Sequence, residues 1–168
     1  FSHQMKIIYT LASPQYTGPA EPILYLAQRF FDEGNEVSFF NDSKDAGNLF
    51  EMIQKRGFSQ NPHIILSRHS FGFEIARDIY HLRKYFKNYH PDIVHCHFSH
   101  DHNLVSLACV GLSPCPMIVR TLHTFDSVQK KMSRTLIFQH TNGFIFPCHD
   151  YQKIFADHYP ALSSKNSA

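Results

Sequence analysis

The chain has 168 residues, 43% of them hydrophobic, which is one domain's worth of material with enough apolar side chains for a proper core. That excludes an intrinsically disordered chain and a disulfide-stapled miniprotein. Sixteen Lys and Arg against fourteen Asp and Glu give a formal charge of +2, with the signs interleaved, so there is no basic face or tail of the kind nucleic acid selects.

Phe1 to Gln4 precede Met5 and read as a cloning remnant, with Met5 as the expected native start and no apolar signal peptide before the first strand. Residues 6–11 are an apolar run ending in Ala12-Ser13-Pro14, a buried strand followed by a loop. A helix is predicted from Gly18, with Gly18 as N-cap, Pro19 at the first helical position and Glu21 at the third. Ile23, Ala27, Phe30 and Phe31 make its apolar stripe, and Gly34 ends it. Residues 37–40 are the second strand. A short helix carrying Leu49, Met52 and Ile53 precedes Gly57, and residues 63–67 read as a third strand.

Ile75, Ile79, Leu82, Phe86 and Tyr89 share one helical face, closed by His90-Pro91. Then follow a strand at 92–97, a helix at 103–112, a strand at 117–122 and a helix at 130–139. A strand at 143–146 and a helix at 150–158, stopped by Pro160, complete the series. The uncharged stretch 103–119 contains Ser113, Pro114 and Pro116, so it is not one of the apolar helices of about twenty residues that span a membrane. The domain is expected over 5–160, with 161–168 as a polar, frayed tail. Alternating strands and helices imply an α/β fold, Rossmann-like and doubly wound, with a mainly parallel sheet and helices on both faces.

In such a fold ligands bind outside the carboxyl ends of the strands. Those ends deliver residues 13–18, Asn41 and Asp42, 68–70, 97–102, 123–126 and 148–150, and four of the six carry histidine, from a total of thirteen. A polar cleft along that rim is the inference. Gly18 at a helix start would let an anionic group approach the backbone amides, although a glycine there also serves as a plain cap. His95 and His97 share one face of a strand, but the run from His95 to His102 matches no standard zinc spacing, and alternate histidines on a buried strand also serve as hydrogen-bonded core residues. Cys96, Cys109, Cys115 and Cys148 form no C-x-x-C pair and are expected to be reduced, buried thiols.

Several segments together resemble the N-terminal domain of a family 4 glycosyltransferase of the GT-B type. They are Met5-Lys6-Ile7-Ile8-Tyr9, Gly18-Pro19-Ala20-Glu21, Gly34-Asn35-Glu36-Val37, Pro91-Asp92-Ile93-Val94-His95-Cys96-His97 and Pro116-Met117-Ile118-Val119-Arg120-Thr121-Leu122-His123, with the closing run from Gly143 to Asp150. The resemblance spans residues 5–159. It implies an enzyme that moves a sugar from a nucleotide-sugar donor to an acceptor hydroxyl, with this chain as the acceptor-side half of the cleft. His123 would lie beside the reacting centre as the catalytic residue, Gly18 near the donor phosphates, and His97 and Asp126 on the acceptor side. No metal and no cofactor is implied.

A second, donor-binding domain carrying an acidic E-x7-E element is absent from this chain, so the fragment alone is expected to be inactive. The expected partners are a nucleotide-sugar donor and a sugar or lipid-linked acceptor, with no nucleic acid. A cytoplasmic location is expected, with peripheral association at the inner face of a membrane. Two departures stand out: Pro19 replaces the second glycine of the usual helix-start pair, removing a backbone amide, and Cys148 stands where a serine is common. Two alternatives remain open at this point. One is a flavodoxin-like mononucleotide or flavin binder using residues 13–18, and the other is a non-catalytic interaction domain. A receiver domain fits least, since the first strand does not end in an acidic pair.

Overall fold

The computed structural model describes residues 4–61 and 63–163; most of the expected leader, and residues 164–168 of the expected tail, lie outside them. The elements are β1 (Lys6–Leu11), α1 (Ala20–Asp32), β2 (Glu36–Asn41), α2 (Leu49–Lys55), β3 (Ser59–Gln60), α3 (Phe73–Tyr89) and β4 (Ile93–Cys96). After these come α4 (Ser99–Cys109), β5 (Met117–Thr121), α5 (Phe125–Val128), α6 (Met132–Gln139), β6 (Gly143–Ile145), α7 (His149–His158) and α8 (Pro160–Ser163). All strand pairs are parallel, and the sheet order is β3-β2-β1-β4-β5-β6. The chain winds outward from β1 to one edge and returns to β4 on the other side, so the order reverses between β1 and β4. That reversal opens a crevice at their carboxyl ends.

The side-chain period of two sorts the strands onto two cores. Ile7, Tyr9, Leu11, Val37 and Phe39 face α1 and α2, meeting Ile23, Leu24, Ala27, Leu49 and Ile53. Ile8, Phe40, Val94, Cys96 and Ile118 point the other way, onto Leu82 and Phe86 of α3 and Leu104, Val105 and Ala108 of α4. A third cluster gathers Leu122, Val128, Phe138, Phe155, Tyr159 and Leu162 under α6 to α8.

Three readings of the sequence are corrected. The third strand is Ser59–Gln60, not 63–67. Ile64 and Leu66 are buried, but Leu66 has φ +52 and the amides of Ile65 and Leu66 donate to the Asp78 carboxylate at 3.3 and 3.0 Å rather than to a strand. The N-cap of α1 is Pro19, not Gly18, because the Ala20 amide closes a turn onto the Thr17 carbonyl at 2.8 Å. The helix expected over 130–139 forms as α6, and a short helix that the sequence reading did not place, α5, precedes it, the two parted at Gln129 with ψ 145. Of the four cysteines, all free, only Cys96 is buried, while Cys115 and Cys148 are exposed. Pro160 does stop α7, and then opens the single turn of α8.

Candidate functional site

The carboxyl ends of β4 and β5 carry His97 and His123, one residue and two residues past their strands. Parallel pairing sets His95 beside Val119 and Cys96 beside Arg120, so the two chains leave the sheet side by side. There His97 Nδ1 lies 3.2 Å from His123 Nε2. The His97 ring lies tilted 4.2 Å from His95 and stacks 6.0 Å from Tyr9, centroid to centroid. His95 is fixed in turn by a 2.7 Å contact between its Nε2 and the Thr121 hydroxyl. As expected for alternate strand residues, His95 and His97 share a face. Among the described residues no group of three His, Cys, Asp or Glu is arranged to hold a metal ion.

Burial sets the charge state of these rings. It lowers His95 to about 4, helped by the positive charge of Arg120. His97 is held well below the ordinary histidine range by burial and then by His95, His123 and Arg120. His123 is also lowered, by burial and by Arg120. The pair is therefore neutral near pH 7 and shares one N–H between two nitrogens.

The loop after β4 is shaped by Asp101 in the first turn of α4. Its carboxylate accepts from the amides of Phe98 (2.9 Å), His102 (2.8 Å) and, more weakly, His97 (3.4 Å). This is the helix-start role an acidic third residue performs. Asp101 is fully buried and faces Arg120 of β5 at 3.8 Å, the Arg120 side chain being 4% exposed. Burial outweighs that pairing: it raises Asp101 to about 6 against the pull of Arg120, and lowers Arg120 against that of Asp101.

A cleft of about 400 Å³ opens over these residues, lined by His97, His123, Asp126 and Pro19, with Arg68, Arg120 and Arg134 adding charge. Three of the four residues singled out from the sequence, His97, His123 and Asp126, thus share one hollow. Gly18 is one residue outside the lining, and a Cβ built on it would meet no atom within 4 Å. Asp126 sits at the rim, 66% exposed, bonded to Lys131 at 2.9 Å and Arg134 at 2.8 Å, which draw it down to about 2. The arginines were not chosen from the sequence. The available signal was Arg120 itself, a charge inside an apolar strand, which full burial obliges to find a partner.

The fold is shared with solved structures at low sequence identity. A glycosyltransferase from Rickettsia africae ESF-5 superposes with a TM-score of 0.71 at 14% identity, over 98% of this chain and 42% of that one. The lipopolysaccharide outer core galactosyltransferase WaaB gives 0.67 at 16% identity, over 92% and 42%. UDP-GlcNAc 2-epimerase from Methanocaldococcus jannaschii gives 0.67 at 12% identity, over 96% and 44%. The chain thus spans about two fifths of the length of these proteins, one Rossmann-like domain of each. No curated protein sequence matches it significantly. The model of Glycosyltransferase Family 4 matches residues 17–165, nearly the whole sequence, and the chain belongs to that family.

Proposed function

We propose that this domain is the acceptor-side half of a cleft in which a sugar passes from a nucleotide-sugar donor to an acceptor hydroxyl, the donor being held mainly by a second domain of the full-length protein. The observation that carries the reading is the contact of His97 with His123 in the wall of a cleft at the carboxyl ends of β4 and β5.

Glycosyl transfer develops positive charge on the sugar ring and negative charge on the departing phosphate, and both need prearranged partners. An imidazolium beside the ring would oppose the first. Burial keeps His123 neutral, so it contributes a hydrogen bond or a dipole without a repulsive charge. Gly18, with open space before its α-carbon, lets the donor phosphate approach the backbone. His97 and Asp126 shape the acceptor side. Asp126, drawn down to about 2, works as a hydrogen-bond acceptor rather than a general base. Half of the cleft alone turns over little.

No helix among the described residues is long and apolar enough to cross a membrane. A cytoplasmic enzyme working on sugar or lipid-linked acceptors at the inner membrane face rests on the family resemblance. Membership in the family leaves the flavin-binding and non-catalytic alternatives without a supporting observation. The test is His123→Ala in the full-length protein, expected to lower kcat by about 100-fold, a typical loss for one preorganised polar group. An unchanged kcat removes His123 from this role.

A further inference from the structure

Arg120 is a buried cation whose hydrogen-bonding capacity is left open. Its Nε and Nη1 are buried without a hydrogen-bond partner among the described residues, and the nearest carboxylate oxygen, on Asp101, is 3.8 Å away. That is too far for a hydrogen bond. Such a group is costly unless something supplies the acceptors. Arg120 forms part of the cleft wall, and two further guanidinium groups line the same cleft. Arg68 donates its Nε to the Ala12 carbonyl at 2.6 Å and lies 4.3 Å over the Phe98 ring, with no acceptor for its Nη groups among the described residues. Arg134 is tied to Asp126. Arg68 and Arg134 are close enough that their charges help lower Arg120. Counting Lys131 on Asp126 and Asp101 behind Arg120, four cations face two carboxylates.

We propose that this cleft binds the phosphate group of the acceptor, so that the acceptor is a phosphorylated compound rather than a neutral sugar. The inference rests on the acceptor-side reading above. A dianionic phosphate matches the unbalanced charge and offers acceptors to planar guanidinium forks. The cleft, at about 400 Å³, also leaves room for the part of the acceptor that carries the phosphate.

The test titrates this chain with inorganic phosphate at constant ionic strength, followed through the imidazole resonances of His97 and His123. A saturable response is expected, weakened at least about 10-fold in Arg120→Gln, the loss anticipated for one charge-assisted hydrogen bond. Since that variant strands Asp101, the double variant Asp101→Asn/Arg120→Gln and the exposed Arg68→Gln are titrated beside it, with the same weakening expected. Absence of saturation, or equal affinity in all variants, overturns the proposal. So does uridine diphosphate binding more than 10-fold tighter than inorganic phosphate and losing that affinity in the same variants, which would give the arginines to the donor. The titration does not depend on turnover. Its failure leaves the acceptor-side reading standing, whereas a phosphate response beside an unaltered kcat in His123→Ala keeps the anion site and removes only the catalytic role of His123.

Discussion

His97 hands its Nδ1 to His123 Nε2 across 3.2 Å, while its own Nε2 is buried with no hydrogen-bond partner among the described residues. The ring is held from behind by Tyr9 and His95, so the one polar contact it makes is the one that orients His123. If His123 acts as proposed, His97 is its positioning residue. In the full-length protein His97→Phe keeps the stack and deletes the contact, and kcat should fall about 10- to 100-fold, the usual range for a lost polar partner, with donor KM within about twofold. His97→Asn, which restores a polar atom, should recover part of the loss. A His97→Phe variant with native kcat would show that the ring only fills space.

The neutral histidines make the fold acid-sensitive. Burial lowers His95 to about 4 and His102 to about 3, whereas the unfolded chain's histidines titrate near pH 6.5. Below about pH 6.5 the unfolded state therefore takes the protons first, and stability present above that pH is lost as it falls toward the folded values. Asp101, raised to about 6, works in the opposite sense below pH 6, because there the folded protein gains the proton first. Two histidines against one aspartate leave a net loss of about 1.4 kcal/mol per pH unit between pH 6 and 4, steepened by His97. Urea midpoints measured at pH 7.5, 6 and 5 should decline in that order; a flat series would contradict the buried, uncharged rings.

Asp101 and Arg120 differ in what their removal exposes. Asp101→Leu removes the carboxylate that accepts from the amides of His97 and Phe98, leaves the His102 amide only the Phe98 carbonyl, and isolates Arg120. About 3–5 kcal/mol of unfolding free energy should disappear, as when one partner of a buried pair is deleted. Asp101→Asn combined with Arg120→Met removes both charges and retains an oxygen for the amides, so the double variant should lie within about 2 kcal/mol of the parent. Equilibrium denaturation of Asp101→Asn, Arg120→Met and the double variant closes the cycle. Additive losses would mean that the 3.8 Å pair is not coupled.

The alternation of strands and helices was legible because each half-buried strand repeats at two residues and each helix stripe at three to four. Ile7, Tyr9 and Leu11 against Ile8 and Phe40 show that repeat in the two cores. Residues 63–67 carry the same pattern and misled, since Ile64 and Leu66 are buried as a loop whose amides are satisfied by Asp78, a side chain distant in sequence. The site was legible where it sits on strand ends, as with His97 and His123. Arg134 lies within the helix read over 130–139, but that it lines the cleft depends on how α6 packs, which the local pattern does not carry. Asp101 was visible only as a member of a histidine-rich run, and its role as acceptor for three amides required the fold.

Gly18 and Gly47 differ in what a Cβ at each would meet. A Cβ on Gly47 would fall 2.0 Å from the Pro14 carbonyl oxygen, where the 46–49 segment is tied to the first loop. The ties are Leu49 N to Pro14 O at 3.0 Å, Tyr16 N to Asn48 Oδ1 at 2.9 Å and Gln15 Nε2 to Ala46 O at 3.0 Å. Gly47→Ala must push those loops apart and should cost about 1–3 kcal/mol, the range for overpacking a tight site. Gly18 has nothing within 4 Å of a built Cβ and a backbone that does not need glycine's positive φ. Gly18→Ala should therefore leave stability unchanged or raise it by less than about 1 kcal/mol. If Gly18 faces the donor phosphate, the same methyl group stands where the ligand approaches, and donor KM in the full-length protein should rise about 10-fold, the equivalent of one weakened hydrogen bond. Thermal unfolding and donor saturation curves on the two variants give the answer. A native donor KM in Gly18→Ala would make Gly18 an ordinary turn residue, and the phosphate contact would have to be sought elsewhere along the rim.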